Sequence, residues 1–538
     1  MLSVDWNKLL RCVTVATLIS GLPLANAYTW PNPRMEELDS QLYDRLDYNA
    51  RGLPAGMEST CAAFIFGATP GRANVADWVR TAYHDMATHN KADGTGGLDA
   101  SIRFEESRSE NAGDGFSNTL LFIAGFANRY FSLSDDIAMA AVTAIEMCGG
   151  PKIAFRGGRV DATEANAPGV PEPQQTLDEH IASFDRQGFT QEEMIGLVAC
   201  GHSFGGVQNV AFPTIVPPSD DPNNTSGNQH FDSTFTQFDN KIATEYLDDT
   251  TQNPLVVGHN VTTRSDLRIF SSDNNSTMSK FADASVFKST CADLFARMID
   301  TVPNGVTLTE EVQPLDVKPT AMQLSWVGDG SISFKGEVRL WNQTSSPDVK
   351  LFWKARDGTK SSNSVALTHN ASHTTNPLFP GSPSLESLWY DLPAITVNAT
   401  ESLSNFWFEI NGNVEDQDGA GYAMQDVVMI ANGTCLSAAA SLELVLKFAL
   451  RADVQPSRVY LKFDDFDNTD APVLKTVDIP LSSPTGTLAG YDLWSATVDF
   501  PLRGWNLAVD ADGKTYETTY IVPGTFSALS YNNPPSCP

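Results

Sequence analysis

The sequence predicts a multidomain chain, with an all-α N-terminal domain followed by all-β, sandwich-like modules. Between residues 35 and 200, apolar residues recur at the 3.6-residue spacing of helices. Beyond about residue 320 they alternate instead, as in half-buried strands. A stretch with Pro303, Pro314 and Pro319 separates the two patterns. At 538 residues, the chain is long enough for two or three domains.

The expected boundaries follow from these changes of pattern. We assign residues 1–27 to a signal peptide, 28–305 to the helical domain, 306–320 to a linker, 321–435 to a first β module and 436–538 to a second. A faint repeat supports two related modules, because Tyr390-Asp391-Leu392 recurs as Tyr491-Asp492-Leu493 and each copy precedes an aromatic strand.

Each predicted element rests on its own periodicity. Helices are predicted over Met35–Leu46, Asn74–Met86, Phe116–Phe131, Asp135–Met147, Leu177–Gln187 and Gln191–Cys200. Strands are predicted over Ile332–Leu340, Val349–Trp353, Phe406–Ile410, Leu442–Leu450, Arg458–Phe463 and Trp505–Val509.

The N-terminus predicts a secreted, extracellular protein. Lys8 and Arg11 precede an apolar run from Cys12 to Leu24, and Ala25-Asn26-Ala27 is a cleavage motif. That run is too short to span a membrane, and no later segment reaches 18 uninterrupted apolar residues, so no membrane span is expected. The formal charge of −30 becomes −31 after cleavage, because Asp5, Lys8 and Arg11 carry a net charge of +1. Such an acidic chain is not expected to bind nucleic acid.

Cysteines and glycosylation motifs agree with secretion. After cleavage six cysteines remain, and pairing within domains is the simplest of the fifteen possible arrangements. Their positions are Cys61, Cys148, Cys200, Cys291, Cys435 and Cys537. Nine sequons are expected on the surface, at Asn223, Asn224, Asn260, Asn274, Asn275, Asn342, Asn370, Asn398 and Asn432.

Two polar residues on the predicted helix Asn74–Met86 carry the first candidate chemistry. Arg80 and His84 stand four residues apart, so they project from one face of the helix. A cation beside an imidazole suits proton transfer coupled to developing negative charge, and the cation keeps the ring neutral. A surface pair flanking a core stripe explains the same spacing. After His84, the oxygen donors Asp85 and Gly97-Leu98-Asp99-Ala100-Ser101 suit Ca²⁺.

A second histidine, His202, stands where a buried helix gives way to glycines. Glycines there allow a flat, bulky group to approach the backbone. A histidine in an apolar pocket is, however, more often a satisfied core residue than a metal ligand. Asp266 is a carboxylate that can accept the second imidazole N–H, although spacing alone does not bring it to His202.

Together these motifs resemble the haem peroxidase superfamily of plants, fungi and bacteria, with the secreted fungal, class II-like members closest. The resemblance covers about residues 35–300. It rests on Arg80-x-x-x-His84-Asp85, Gly97–Ser101, Gly150–Ile153, Gly158–Asp161, Leu197–Gly205, Phe231–Thr234 with Phe238–Asn240, and Ser265-Asp266.

The resemblance implies haem b with His202 as the iron ligand and Asp266 as its hydrogen-bond partner. His84 is implied as the acid–base group and Arg80 as the group that stabilises charge during O–O cleavage. Asn111 matches the asparagine that orients the distal histidine, and Glu105 matches the acid that completes this network.

The resemblance also implies two calcium ions, which would tie the loops around the haem to the helices. The distal site would use Asp85, Gly97, Asp99 and Ser101. The proximal site would use Ser203, Asp232, Thr234, Gln237 and Asp239.

Departures from the family indicate which electron donors to expect. Phe231 replaces a tryptophan radical site, and Tyr83 stands where Phe or Trp is usual. Arg72, Ala76 and Gln208 occupy the positions of manganese-binding carboxylates, and Leu197 replaces the tryptophan that relays electrons from bulky polymers. Small phenols and similar organic donors are therefore expected, without saturable Mn²⁺ oxidation.

Three classes of function remain open at this stage. The leading one is a secreted, monomeric haem peroxidase that reduces hydrogen peroxide and oxidises small organic donors by one-electron steps. The second is a non-catalytic cell-wall or polysaccharide-binding protein with a peroxidase-like domain, and the third is haem-based ligand binding without turnover. For the C-terminal modules, polysaccharide binding, packing against the helical domain and a spacer role all stay open, and Trp353, Trp389 and Trp494 fit a core as well as sugar platforms.

Overall fold

The computed structural model describes residues 28–44, 61, 72–218, 227–343, 345–359, 364–371, 386–393, 395–437, 442–481, 483–499, 503–520 and 534–538. The predicted signal peptide and the sequons at Asn223 and Asn224 lie outside these residues.

The described N-terminal part is mainly helical, as predicted. Its α-helices are α1 (Pro33–Tyr43), α2 (Asn74–Met86), α3 (Gly115–Ile123), α4 (Leu133–Met147), α5 (Leu177–Gln187), α6 (Gln191–Gly201), α7 (Lys241–Leu247), α8 (Pro254–Val257), α9 (Ser265–Phe270), α10 (Ser276–Phe281) and α11 (Ala284–Ile299). A short antiparallel strand pair, β1 (Gly206–Gln208) with β2 (Asn228–His230), interrupts them.

Caps explain why several helices begin at the predicted residues. Thr176 and Thr190 each form a capping box, with Glu179 and Glu193 respectively, at the N-termini of α5 and α6. The predicted helix Phe116–Phe131 is too long, because α3 ends at Ile123. The Asn128 side chain accepts a hydrogen bond from Tyr130 N and so forms a turn in place of the last helical residues.

The C-terminal part is built from strands. They are β3 (Val317–Gly328), β4 (Ser331–Gln343), β5 (Val349–Lys354), β6 (Val365–Ala366), β7 (Thr368–His369), β8 (Glu386–Asp391), β9 (Ile395–Asn398), β10 (Asn405–Ile410), β11 (Asn413–Glu415), β12 (Tyr422–Ala423), β13 (Val428–Ala431), β14 (Cys435–Ser437), β15 (Glu443–Arg451), β16 (Arg458–Phe466), β17 (Pro472–Asp478), β18 (Gly486–Leu488), β19 (Tyr491–Asp499), β20 (Trp505–Ala511) and β21 (Lys514–Glu517).

One long sheet joins the two expected β modules. Its main path runs β18-β19-β15-β13-β3-β4-β8-β7, with β14 and β9 at its sides, and β13 pairs with β3 in parallel. A five-stranded sheet (β11-β10-β5-β6, with β12) and a four-stranded sheet (β17-β16-β20-β21) complete the region. Two apolar clusters fill it, one drawn mainly from residues 322–431 and one from residues 427–511.

The three tryptophans considered as possible sugar-binding platforms belong to these apolar clusters or pack near them. Trp389 is buried, Trp353 packs against the first cluster, and Trp494 packs against the second and stacks on Phe448. None of the three is therefore presented as an exposed aromatic platform.

The β region packs directly against the helical domain. Arg339 of β4 is fully buried and donates to Asp39 of α1 at 2.6 Å and to Asp44. Lys318 of β3 donates to Asp44 at 3.0 Å. Of the three roles left open for the C-terminal modules, packing is thus observed.

Three disulfides stay within the helical or the β region, as expected. They join Cys61 to Cys148, Cys200 to Cys291 and Cys435 to Cys537. Among the described residues, none of the helices combines the length and the apolar composition needed to cross a bilayer.

Candidate active site

A cavity of about 440 Å³ lies in the helical domain and collects most of the predicted catalytic residues. Arg80 and His84 of α2 line it, together with His202 at the end of α6 and Asp266 of α9. Much of the remaining wall is apolar, with Leu197, Phe204, Phe212, Phe231, Leu255, Ile269, Phe295 and Met298. Residues more than one hundred positions apart in the sequence thus share one chamber.

His84 is held by a short chain of hydrogen bonds. Its Nδ1 lies 2.8 Å from Asn111 Oδ1, and Asn111 Nδ2 donates to the Glu105 carbonyl at 3.0 Å. Because the asparagine oxygen can only accept, Nδ1 carries the proton and Nε2 is the basic nitrogen of the neutral ring. Burial, followed by the charge of Arg80, holds the pKa of His84 well below its ordinary value.

The network differs from the expected one in how Glu105 takes part. Its carbonyl, not its carboxylate, accepts from Asn111. The carboxylate accepts from Asn166 N at 2.8 Å and pairs with Arg108 at 3.0 Å.

Arg80 is fixed beside His84 by backbone and aromatic contacts. Its Nη2 donates to the Ala112 carbonyl at 2.9 Å, and its guanidinium lies 4.4 Å from the Phe116 ring centroid. Burial lowers the pKa of Arg80 to about 10, so the group remains charged at neutral pH. The result is a fixed cation next to a neutral base.

His202 has the predicted carboxylate partner. Its Nδ1 lies 2.8 Å from Asp266 Oδ2, which also accepts from Asn253 Nδ2 at 2.7 Å. A hydrogen bond to Nδ1 sets the tautomer so that Nε2 carries the available lone pair. The Phe231 ring stacks on His202 with centroids 4.1 Å apart.

The glycines after His202 line the cavity and also allow close packing of the chain. A Cβ on Gly205, which has φ +73°, would lie 2.5 Å from Ala76 Cβ, and a Cβ on Gly206 would lie 2.2 Å from the Gln229 carbonyl. These positions require glycine because α2 and β2 pass close by.

The residues predicted for the distal calcium lie together in one loop. Both carboxylate oxygens of Asp85 accept backbone N–H bonds, from Asp99, Ala100 and Ile102 at 2.7–2.8 Å. Asp99 accepts from Ser101 N at 3.1 Å, and Gly97 N donates to Thr88 Oγ1 at 3.2 Å. The side-chain amide of Asn166 lies among these oxygens, within 3.3 Å of four of them.

The residues predicted for the proximal calcium are arranged differently. Asp232 Oδ1 accepts from Thr234 N at 2.9 Å, and Asp239 Oδ1 accepts from Lys241 N at 2.8 Å. Within the part of the chain that the structure describes, Asp232 Oδ2 and Thr234 Oγ1 are buried without a hydrogen-bond partner. Burial raises the pKa of Asp232 to about 7, and nearby Asp239 contributes in the same direction.

Two further residues predicted for the proximal calcium are Ser203, just after α6, and Gln237, in the same loop as Asp232. Ser203 is fully buried and its hydroxyl donates to the Cys200 carbonyl at 2.7 Å. Gln237 N donates to the Thr234 carbonyl at 2.8 Å. Among the described residues, no group of three or more His, Cys, Asp or Glu side chains is placed to hold a metal ion, so any site here depends on hydroxyl and carbonyl oxygens as well.

The cavity also contains an ion-pair cluster around Arg72. The Arg72 guanidinium is buried, with Nη2 at 2.7 Å from Asp77 and Nη1 at 2.9 Å from Asp114. With its amide oxygen turned toward Arg72, Gln208 accepts from Nε at 2.7 Å. Leu197 lines the cavity as an apolar residue, and the Tyr83 hydroxyl faces Gln187 at 3.4 Å.

Sequence reasoning missed Asn166 and Asn253. Asn253 had a usable signal, because it precedes Pro254 and caps α8 by accepting from Leu255 N. Asn166 lies in a segment without regular structure, far in sequence from the loop that it contacts, and no local pattern marks it.

Comparison with known proteins identifies a peroxidase domain in the same part of the chain. A family profile described as Peroxidase matches residues 60–284. A WSC domain-containing protein of Arthroderma benhamiae is 41% identical over 368 residues, which cover 67% of this chain and 50% of that protein. The peroxisomal L-ascorbate peroxidase 5 of Arabidopsis thaliana is 30% identical over 27% of this chain and 52% of that protein.

A mitochondrial cytochrome c peroxidase of Yarrowia lipolytica is 32% identical over 24% of this chain and 39% of that protein. The chain therefore spans about half the length, or less, of these relatives. The matched segment contains His84, Asn111, His202 and Asp266, the residues that the structure joins in pairs around one cavity. Residues 60–284 therefore form a peroxidase-family domain, in agreement with the haem peroxidase superfamily that the motifs resemble.

Proposed function

We propose that this protein is a secreted haem peroxidase that reduces hydrogen peroxide and oxidises small organic donors in one-electron steps. The observation that carries the proposal is the pairing of His84 with Asn111 and of His202 with Asp266 around one cavity. Neither pair is explained by core packing alone, since both histidines line the cavity.

The residues present fit a haem group. The cavity wall is largely apolar, which suits a flat macrocycle, and His202 Nε2 has the lone pair that an iron ligand needs. When bound, the haem would supply the iron at which peroxide is reduced and donors are oxidised. Asp266 would fix the His202 ring and raise its basicity.

For proton transfer, His84 Nε2 would accept the proton from one peroxide oxygen and return it to the other. The ring can do so because burial and the charge of Arg80 keep it neutral, while Asn111 fixes its tautomer. Arg80 would stabilise negative charge on the departing oxygen, from a position already fixed by Ala112 and Phe116.

We assign haem b and calcium as cofactors within this proposal. The two unpartnered oxygens of Asp232 and Thr234 support a cation in the proximal loop, because a buried oxygen without a donor is costly. Secretion is supported by the predicted signal peptide and by three disulfides, which form in oxidising compartments. The same features support a place near the secreted fungal, class II-like enzymes.

The test is haem binding by the whole secreted chain. We expect a Soret band that shifts on adding peroxide, and we expect His202→Ala to lose it while the surface variant His259→Ala keeps it. A chain without a Soret band, or a Soret band that peroxide leaves unchanged, would favour the non-catalytic alternative.

The Arg72 cluster supports organic donors rather than Mn²⁺. Arg72 and Gln208 stand at positions where manganese-oxidising relatives carry carboxylates, and the Arg72 guanidinium already pairs with the nearby Asp77 and Asp114. We predict turnover of simple phenols and no saturable Mn²⁺ oxidation in side-by-side steady-state assays. Saturable Mn²⁺ oxidation would show that a metal site lies elsewhere in this chain.

A further inference from the structure

The distal loop contains an arrangement that its sequence motif does not predict. Asn166 Nδ2 lies 3.0 and 2.9 Å from the two carboxylate oxygens of Asp99, 2.9 Å from Ser101 Oγ and 3.3 Å from Thr88 Oγ1. Asp99 and Ser101 are among the oxygen donors expected to hold the distal calcium. A single amide nitrogen therefore stands at the centre of four oxygens.

The amide and a calcium ion cannot share this position. Calcium binds its oxygen ligands at about 2.3–2.6 Å, so an ion coordinated by Asp99 and Ser101 would overlap the Asn166 nitrogen. The orientation of the amide follows from chemistry, because carboxylate oxygens accept hydrogen bonds and only the NH₂ end of asparagine donates them.

The backbone of Asn166 is held as firmly as its side chain. Its N–H donates to the Glu105 carboxylate at 2.8 Å, and its carbonyl accepts from Arg108. Glu105 in turn offers its carbonyl to Asn111, the partner of His84. Asn166 is thus anchored on both sides of its own backbone when its amide enters the loop.

The carboxylates of the loop also accept several hydrogen bonds from the protein itself. Asp85 accepts three backbone N–H bonds, and Asp99 accepts from Ser101 N as well as from Asn166. Hydrogen bonds of this kind to a carboxylate are the strong, charge-assisted type.

We propose that the Asn166 amide replaces the distal calcium, so that this loop is organised by hydrogen bonds and binds no metal ion. The amide supplies two N–H donors at the place where the ion would supply positive charge. Calcium in this protein would then be confined to the proximal loop. The inference concerns the loop alone and does not depend on turnover of peroxide.

Calcium content measured by elemental analysis on the purified full chain tests this directly. We expect Asp99→Asn to contain as much calcium as the wild type. Loss of one equivalent in Asp99→Asn would overturn the proposal.

A gain-of-binding variant gives a second, independent result. Asn166→Asp removes the amide and adds a carboxylate to the same oxygens, so we expect it to bind one calcium more than the wild type. We also expect its unfolding temperature to rise more on adding calcium. Asn405→Ala, which changes a half-buried asparagine of β10 in the β region, should leave the calcium content unchanged. An Asn166→Asp variant that folds and gains no calcium would contradict the proposal.

If neither loop variant folds, the calcium content of the wild-type protein and of Asp232→Asn still tests the proposal. At most one equivalent of calcium, removed in Asp232→Asn, agrees with the inference. Two equivalents in the wild type, or one equivalent that survives Asp232→Asn, would overturn it.

Discussion

The pKa of His84 is lowered by burial and by Arg80, and these two effects outweigh the hydrogen bond to Asn111, which acts in the opposite direction. Burial and Arg80 disfavour the imidazolium, while the Asn111 hydrogen bond fixes the tautomer. A base with a lowered pKa stays available at pH values where an ordinary histidine would be protonated. The acid limit of the peroxide reaction should therefore lie below about pH 6.5, the ordinary pKa of histidine.

Changing Asn111 to aspartate should move that limit. A carboxylate beside Nδ1 stabilises the imidazolium and raises the pKa of His84, so more of the base is protonated at a given pH. We expect the acid limb of the rate of reaction with peroxide to shift to higher pH in Asn111→Asp. The pH profile from stopped-flow measurement checks this, with His259→Ala as the control. An acid limb at the wild-type position would show that His84 is not the titrating base.

At the scale of single residues, the sequence predicts contacts between residues that are close along the chain and misses contacts between residues that are far apart. Arg80 and His84 are one helical turn apart, so their common face follows from spacing alone. The resemblance supplied Asn111 and Asp266. Arg72 and Asp114 are 42 positions apart, and Asn166 and Asp99 are 67 positions apart. No local sequence pattern predicts either contact.

At the scale of elements, the proximal loop combines buried oxygens with missing donors. Asp232 and Thr234 offer acceptors that the described residues leave unpartnered, which a cation would satisfy. A cation bound by Asp232 and Thr234, on the short loop after β2, and also by Ser203 would tie this loop to the end of α6.

Asp232→Asn should therefore abolish the response of stability to calcium. A ligand present at 100 times its Kd stabilises the folded state by about 2.7 kcal/mol, and we expect the wild type to gain on that order. Thermal unfolding in chelator and in calcium measures it. Asp283→Asn is the matched control, because it removes a carboxylate charge at the N-cap of α11 and leaves the loop untouched. A calcium response retained in Asp232→Asn would place the ion elsewhere.

Some helix boundaries were predicted closely, with or without a side-chain cap. Asn74–Met86 begins without one, whereas Leu177–Gln187 begins with a capping box. The helices Asn74–Met86 and Leu177–Gln187 occur at the predicted residues, and the predicted strands agree within a few positions. Strand pairing was not predictable, since β13 contacts β3 across about one hundred residues and in parallel.

At the scale of the whole molecule, a buried charge cluster joins the helical and β regions. Arg339 and Lys318 meet Asp39 and Asp44, and the side chains of all four are almost completely buried. The sequence does not reveal this cluster, because isolated charges in strands and helices resemble solvated ones.

Arg339→Met should destabilise the chain by about 3–5 kcal/mol, because it leaves buried carboxylates without their partner. Chemical denaturation followed by circular dichroism measures the loss. Lys350→Ala breaks the exposed pair with Glu409 and should cost less than about 1 kcal/mol. Equal losses in the two variants would mean that the interface does not depend on the cluster.

The most direct test of peroxidase activity is the rate at which the haem-loaded protein reacts with hydrogen peroxide. His84→Ala keeps His202 and the cavity, so haem should remain bound while the stopped-flow rate falls by about 10²–10⁴, the contribution of general acid–base catalysis. An unchanged rate in His84→Ala would contradict the assignment of His84 and, with it, the proposed chemistry of the cavity.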